Sequence, residues 1–269
     1  MTRAAEHGDA RRSRVYIWME SGARSTLDAG RIEVESLGLP QTHCDPLVDL
    51  GAGFGRHAIP LAGRGSGVVA VDASAEFVAS LRTLAGEVPS GGIGDDFRAF
   101  TCQLEEPAEG ALRMGDTVMH LPSFDDVGAL AGDASSILAP GGTLAFSFRE
   151  PPLPRSRNEY VCSDDGPAST CFLDFDAELA RVHDLLEERT SAGWQTRVSV
   201  HPKLCPAPDH LVATLTALGF MVRRDAGTGG MVRIAAAKPP YSTNSVAGRS
   251  TSSRTRWMNA AASAPSTTR

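Results

Sequence analysis

The run Val48-Asp-Leu-Gly-Ala-Gly-Phe-Gly55 constrains this chain more than any other feature, because it stands where a strand gives way to a helix. Before it, Leu47-Val48-Asp49-Leu50 reads as a short buried strand; after it, helical spacing runs from Arg56 to Arg64. Gly51, Gly53 and Gly55 let the backbone reverse sharply and let a ligand approach the main chain, and the helix beyond offers amide donors. A second strand, Val68 to Asp72, precedes an amphipathic helix from Ala75 to Ala85. Two β-α units in succession predict a parallel, doubly wound sheet of the α/β class.

The flanking segments extend this reading. A helix is predicted over Thr26–Leu37, with Ile32, Val34 and Leu37 as its apolar stripe and Pro40 as its stop. Between Gly86 and Gly110 no third strand stands out. Ala111 to Met114 closes a fourth strand, a helix follows from Phe124 to Leu138, Pro140-Gly141-Gly142 reads as a turn, and Thr143 to Phe148 as a fifth strand. After Arg149 the pattern changes to antiparallel strands. Trp194, Thr196, Val198 and Val200 alternate with Gln195, Arg197, Ser199 and His201, the period of a half-buried strand. A helix from Asp209 to Leu218 and strands near Met221 and over Met231–Ala236 complete the pattern. The division expected is a mobile arm over 1–14, one domain over 15–238 with the insertion at about 151–205, and a disordered tail over 239–269.

Composition narrows the function classes. The 269 residues are 42% hydrophobic and 22% charged, enough for one domain with a substantial core. A net charge of −6 argues against a nucleic-acid partner, which needs a basic face. The five cysteines (Cys44, Cys102, Cys162, Cys171, Cys205) form no CxxC pair and read as free thiols. No apolar run has membrane-spanning length. Arg11-Arg12 suggests a twin-arginine export signal, but the apolar stretch after it, Val15 to Met19, ends at Glu20 and is too short; a cytoplasmic location is expected.

Three segments carry chemistry. A G-x-G-x-G turn fits both dinucleotide enzymes and S-adenosylmethionine (SAM) enzymes, and Asp72 at the end of the second strand suits the ribose hydroxyls that both cofactors possess. Asp49 favours SAM, because a carboxylate there holds an amino group and repels a pyrophosphate. The second segment, Met114-Gly115-Asp116-Thr117 with His120-Leu121-Pro122, closes the fourth strand on the same crevice. His120 reads there as a cofactor or substrate contact or a base, or as a histidine that merely bonds to backbone. The third is Arg149 at the end of the fifth strand, placed to fork onto a carboxylate or to serve a salt bridge. Asp95-Asp96 are candidates for a cofactor contact. His57 reads as a solvated first-turn residue, and the prolines around His201 and Cys205 argue against a metal site there.

The order of these pieces resembles the class I SAM-dependent methyltransferases over roughly residues 45–237, and within them the glycine N-methyltransferase-like small-molecule group. The resemblance implies a mostly parallel seven-stranded sheet with an antiparallel insertion after the fifth strand, and SAM as cofactor. It places Met114 and His120 at the cofactor, beside the candidates Asp49, Gly51, Gly53, Asp72, Ala73 and Asp95, and Asp116, Thr117 and Arg149 at the substrate; the chemistry of methylating an amine makes Asp116 and His120 the candidate proton acceptors. The chain departs from that group at Asp116, where asparagine is usual, and at Glu150-Pro151, where an amide and a tyrosine are usual. The implied activity is methyl transfer to a small polar metabolite at nitrogen. The other readings are an inactive SAM-binding module, a natural-product O-methyltransferase, and a NAD-dependent oxidoreductase, against which Asp49 speaks.

The tail from Tyr241 has almost no large apolar residue, so it cannot offset the entropy of its own ordering. Deleting residues 241–269 is expected to leave the melting temperature and SAM affinity unchanged; a drop of several degrees on heating would show that the tail packs on the domain.

Overall fold

The computed structural model describes residues 22–37, 39, 46–72, 74–87, 97–100, 108–113, 117–150, 157–162, 168–176, 178–227 and 230–240, of which 97–100, 108–113 and 157–162 are described as backbone. The elements in chain order are α1 (Ala23–Ser36), β1 (Leu47–Leu50), α2 (Ala58–Gly63), β2 (Val68–Val71), α3 (Ala75–Glu87), β3 (Phe97–Phe100), β4 (Ala108–Arg113), a 3-10 turn (Thr117–His120), α4 (Phe124–Ile137) and β5 (Leu138–Arg149). Then come β6 (Arg157–Cys162), β7 (Ala168–Phe175), β8 (Leu179–Thr190), β9 (Gly193–Leu204), α5 (Pro208–Ala217), β10 (Met221–Ala226) and β11 (Met231–Ala237). The expected arm and all but the first residues of the expected tail lie outside the described residues.

Seven strands form one sheet in the order β10-β11-β5-β4-β1-β2-β3. Strands β3, β2, β1, β4 and β5 pair in parallel, whereas β11 runs antiparallel to both β5 and β10. The third strand, which the sequence left indistinct, is the four-residue β3 at the sheet edge beside β2. Successive strand residues point to opposite faces, so a sheet covered on both sides needs apolar residues at every position. Leu47, Val68, Ala70 and Ala145 join Val34, Leu61, Val78 and Leu81 in the layer with α1, α2 and α3. Val48, Val69, Val71, Leu144, Phe146 and Phe148 join Val127, Leu130, Leu211 and Leu215 in the layer with α4 and α5. Each such large side chain contributes about 1.5–3 kcal/mol through burial.

Local chemistry sets the helix ends. At α4 the Ser123 hydroxyl accepts the Asp126 amide at 3.2 Å, and Asp125 and Asp126 place acids in the first turn, where the helix dipole favours them. Helix α1 buries Thr26, Gly30 and Val34, one residue every fourth. The predicted stripe is therefore corrected: Ile32 is 52% exposed, and Gly30 takes the inner position because the helix lies too close to its neighbour for a side chain.

Pro140-Gly141-Gly142 is not the predicted turn. It bulges inside β5, whose pairing with β4 jumps from Ala108–Leu138 to Gly110–Thr143. Gly141 adopts φ +84° and donates its amide to the Lys238 carbonyl, and the Lys238 amide returns to the Gly142 carbonyl. The Lys238 ammonium donates to the carbonyls of Ser135 at 2.7 Å and Leu138 at 2.6 Å, capping the carboxyl end of α4.

Strands β6 to β9 form a separate antiparallel sheet. Its root is anchored where Leu204 joins Val118, Met119 and Phe148 in the main core. The predicted half-buried face of β9 is also corrected: Trp194 is 62% and Val198 58% exposed, because β9 is the sheet's edge strand and the hairpin runs out beyond the core.

Charged hydrogen bonds of the Lys238 kind are worth about 1.5–3 kcal/mol each. Lys238→Met is expected to lower stability by about 2 kcal/mol and Tm by several degrees in thermal unfolding, with SAM affinity retained.

Candidate functional site

The parallel strands end together, so the segments that follow them meet along one edge of the sheet. The glycine turn follows β1, Asp72 follows β2, the 3-10 turn with His120 follows β4, and Arg149 is the last residue of β5. The amides of Gly51 and Ala52 donate to the Val71 carbonyl at 2.7 and 3.0 Å, folding the turn back over β2. Gly51 and Gly55 hold positive φ and have no room for a side chain: a Cβ at Gly51 would lie 2.2 Å from Thr117 Cγ2, and one at Gly55 would meet Ile59 at 2.7 Å. Gly53, also at positive φ (+56°), faces open space. The turn is closed on its flanks and open at its middle, the shape of a cradle.

Asp72 ties this turn in place. One carboxylate oxygen accepts the Gly53 amide at 2.8 Å and the other the Ser74 amide at 2.8 Å. Ser74 in turn accepts the Phe77 amide and starts α3. A carboxylate accepts at about four positions, so holding two amides is compatible with receiving ribose hydroxyls. Asp49 lies beneath the turn, 1% exposed. Two carboxylates around an open glycine turn suit a cofactor with hydroxyls, an amino group and a sulfonium, and repel a pyrophosphate; these residues fit SAM.

A further contact holds the turn from outside, and the sequence reading had missed it. Helix α1 crosses so near the turn that a Cβ on Gly30 would lie 1.8 Å from the Arg56 carbonyl oxygen. One helical turn on, Glu33 receives Arg56 Nη2 at 2.8 Å and His57 Nε2 at 2.6 Å. His57 is 4% exposed, so it is not the solvated residue predicted; α1 covers it, and α1 lies too far away in sequence for spacing to reveal this. Burial alone would raise the Glu33 carboxyl, but the hydrogen bonds and charges of His57 and Arg56 outweigh it and lower Glu33 from 4.5 to about 2.

Of the predicted site residues, Asp49, Gly51, Gly53, Asp72, Thr117, His120 and Arg149 are described, and Ala73, Asp95, Met114 and Asp116 lie outside the described residues. Thr117 stands with its methyl against Gly51. His120 and Arg149 are both exposed at the strand ends. The insertion adds residues that no motif had marked. His201 on β9 stacks on His120 with ring centroids 6.1 Å apart, and its Nδ1 lies 3.5 Å from the Asp184 carboxylate on β8. Cys205 is buried, which pushes its thiol up, with Lys203 opposing, as suits an inert packing residue.

Residues 48–146 match the family model described as "Methyltransferase domain". No curated protein matches the chain by sequence. Among solved structures, Streptomyces venezuelae DesVI is 16% identical with a TM-score of 0.66, over 86% of this chain and 98% of that one. The SAM-bound amino pentose methyltransferase CalS10 from Micromonospora echinaspora is 19% identical with a TM-score of 0.59, over 88% and 98%. The sugar N-methyltransferase KedS8 from Streptoalloteichus is 13% identical with a TM-score of 0.62, over 79% and 86%. At these identities the likeness establishes a common fold.

The Glu33 pairing has a testable pH signature. A carboxyl lowered from 4.5 to about 2 on folding stabilises by on the order of 3 kcal/mol above pH 4.5, and that stabilisation is lost as pH falls from 4.5 towards 2. Glu33→Gln is therefore expected to unfold more easily at pH 7, with the gap to the parent protein closing on acidification. A gap independent of pH in denaturant titrations would show that the charge of Glu33 contributes nothing.

Proposed function

We propose that this chain is a class I SAM-dependent methyltransferase that methylates a small polar metabolite at nitrogen, an amino sugar being the favoured substrate class; the methyltransferase-domain match over residues 48–146 and the fold shared with SAM-bound CalS10 support this reading. The observation that carries this reading is the convergence of the glycine turn, Asp72, His120 and Arg149 on the carboxyl ends of adjacent strands. Two structural neighbours, the amino pentose methyltransferase CalS10 and the sugar N-methyltransferase KedS8, support the substrate class.

Bound SAM supplies a methyl group on a sulfonium, so transfer is an in-line displacement that needs alignment more than acid–base assistance. Asp49 receives the cofactor's amino group, and Asp72 with the neighbouring Ala73 its ribose. Gly51 and Gly53 would allow close approach, and by the resemblance Asp95 and Met114 would border the rest. An amine attacks only through a free lone pair. A substrate that enters as an ammonium ion therefore gives up a proton first, to the exposed imidazole of His120 or to Asp116, which precedes Thr117. Arg149 forks onto an anionic or hydroxyl-rich end of the substrate, opposite the reacting amine. The strands after Arg149 shield the pocket from water.

The test starts with calorimetric binding of SAM, its demethylated product and NAD, followed by mass-shift screening of amino sugars and other small amines. Binding of SAM and product without NAD, and a gain of one methyl on an amine, are expected. Methylation confined to hydroxyl compounds would overturn the nitrogen assignment. With a substrate in hand, Arg149→Met is expected to lower kcat/KM about thirty- to a hundredfold while SAM affinity stays within twofold. Full turnover by this variant, or equal loss of SAM binding, would remove Arg149 from the substrate pocket.

A further inference from the structure

We propose that Asp184 and His201, both on the antiparallel insertion, are positioning residues for His120, so that the insertion completes the reacting site as well as covering it. This inference rests on the reading of His120 as the group that receives the substrate's proton. His120 closes a short 3-10 turn and is exposed, and an imidazole side chain has several rotamers. Only some of these aim a ring nitrogen at the substrate, so what limits the ring sets how often the base is in place.

The limit comes from β9. The His201 ring lies nearly parallel to that of His120, at an interplanar angle of 16° and a centroid distance of 6.1 Å, within the range of offset aromatic stacking. His201 is itself held on two sides. Strands β8 and β9 pair Val182 with His201 and Asp184 with Ser199, which places Asp184 diagonally beside His201 on one face of the sheet. The two side chains meet there at 3.5 Å, with His201 17% exposed. Three residues further along β9, Leu204 lies in the same buried cluster as Val118 and Met119, which belong to the turn that ends in His120. Core packing therefore fixes the strand carrying His201 against the turn carrying His120. The carboxylate then fixes the His201 ring, and that ring limits the plane of the next. Other charged groups near the turn are Arg149 and Glu150 at the end of β5, Glu150 being bound to Arg224 at 3.6 Å, and Lys203, which shares the His201 face of β9.

The role assigned is geometric: it needs a flat ring at position 201 to stack on His120 and the Nδ1 contact with Asp184 to hold that ring. His201→Ala is expected to lower kcat about ten- to thirtyfold, less than the hundredfold or more expected for His120→Ala, with SAM affinity within twofold of the parent. His201→Phe keeps the stacking surface and is expected to restore kcat to within about threefold. Asp184→Ala, which like His201→Phe keeps a ring at position 201 that no carboxylate holds, is expected to match His201→Phe. A second measurement needs no activity: in SAM-free protein carrying isotope-labelled histidine, the His120 side-chain NMR signal should move and broaden in His201→Ala and return in His201→Phe.

The outcomes separate the two readings. Full turnover by His120→Ala would overturn the role of His120 and this proposal with it. Loss in His120→Ala beside an unchanged kcat in His201→Ala would overturn the proposal alone. Loss in His201→Ala that Phe does not rescue, with the His120 signal unmoved, would also overturn it, by showing that His201 acts through its own nitrogens.

Discussion

Three separate parts of the chain hold the turn from Gly51 to Gly55 while leaving open the side on which a Gly53 side chain would lie. Asp72 takes the Gly53 amide from the β2 side at 2.8 Å, and Thr117 presses on Gly51 from beyond β4. Helix α1 lies against the Arg56 carbonyl through the missing side chain of Gly30, with Glu33 gripping Arg56 and His57. A glycine-rich turn costs more backbone entropy to order than any other stretch of its length. External clamps remove that cost from the moment of cofactor binding and leave a preformed surface.

The clamps also divide the labour among the layers. The layer with α1, α2 and α3 secures the cofactor turn, since α1 contributes both the close-packed Gly30 and the buried Glu33. The layer with α4 and α5 secures the 3-10 turn, because Val118, Met119 and Leu121 pack among Val127, Leu130 and Phe148. The glycine turn and the 3-10 turn are thus secured from opposite faces of one sheet and meet at its edge, which is where a doubly wound fold opens a crevice.

Where the code was local, the sequence was legible. The two β-α units, the glycine turn, the acid after β2, the helix from Phe124 and the antiparallel finish all follow from spacing of two or of about four residues, or from residues that permit one backbone shape. Legibility failed where a neighbour distant in sequence decided the matter. Ile32 looked like a core residue because it is apolar, yet the crossing of α1 over Arg56 selects the face with Gly30. His57 looked solvated because nothing near it in sequence is a carboxylate, and its partner Glu33 is 24 positions away. Trp194 and Val198 alternate as a buried strand does, but no described layer covers that face of the hairpin.

The sequence by itself determined the sheet class, the place of the glycine turn and the residue types around it, because each depends on backbone geometry written in a few consecutive residues. Tertiary structure alone decided which of those residues are brought together. The β8–β9 register sets Asp184 beside His201, and Leu204, buried with Val118 and Met119, holds His201 against His120. Such contacts join chain positions more than 80 residues apart, as His120 and His201 are, and no short-range periodicity encodes them. They exist because burying Leu204 in the main core brings the root of the insertion onto the turn after β4.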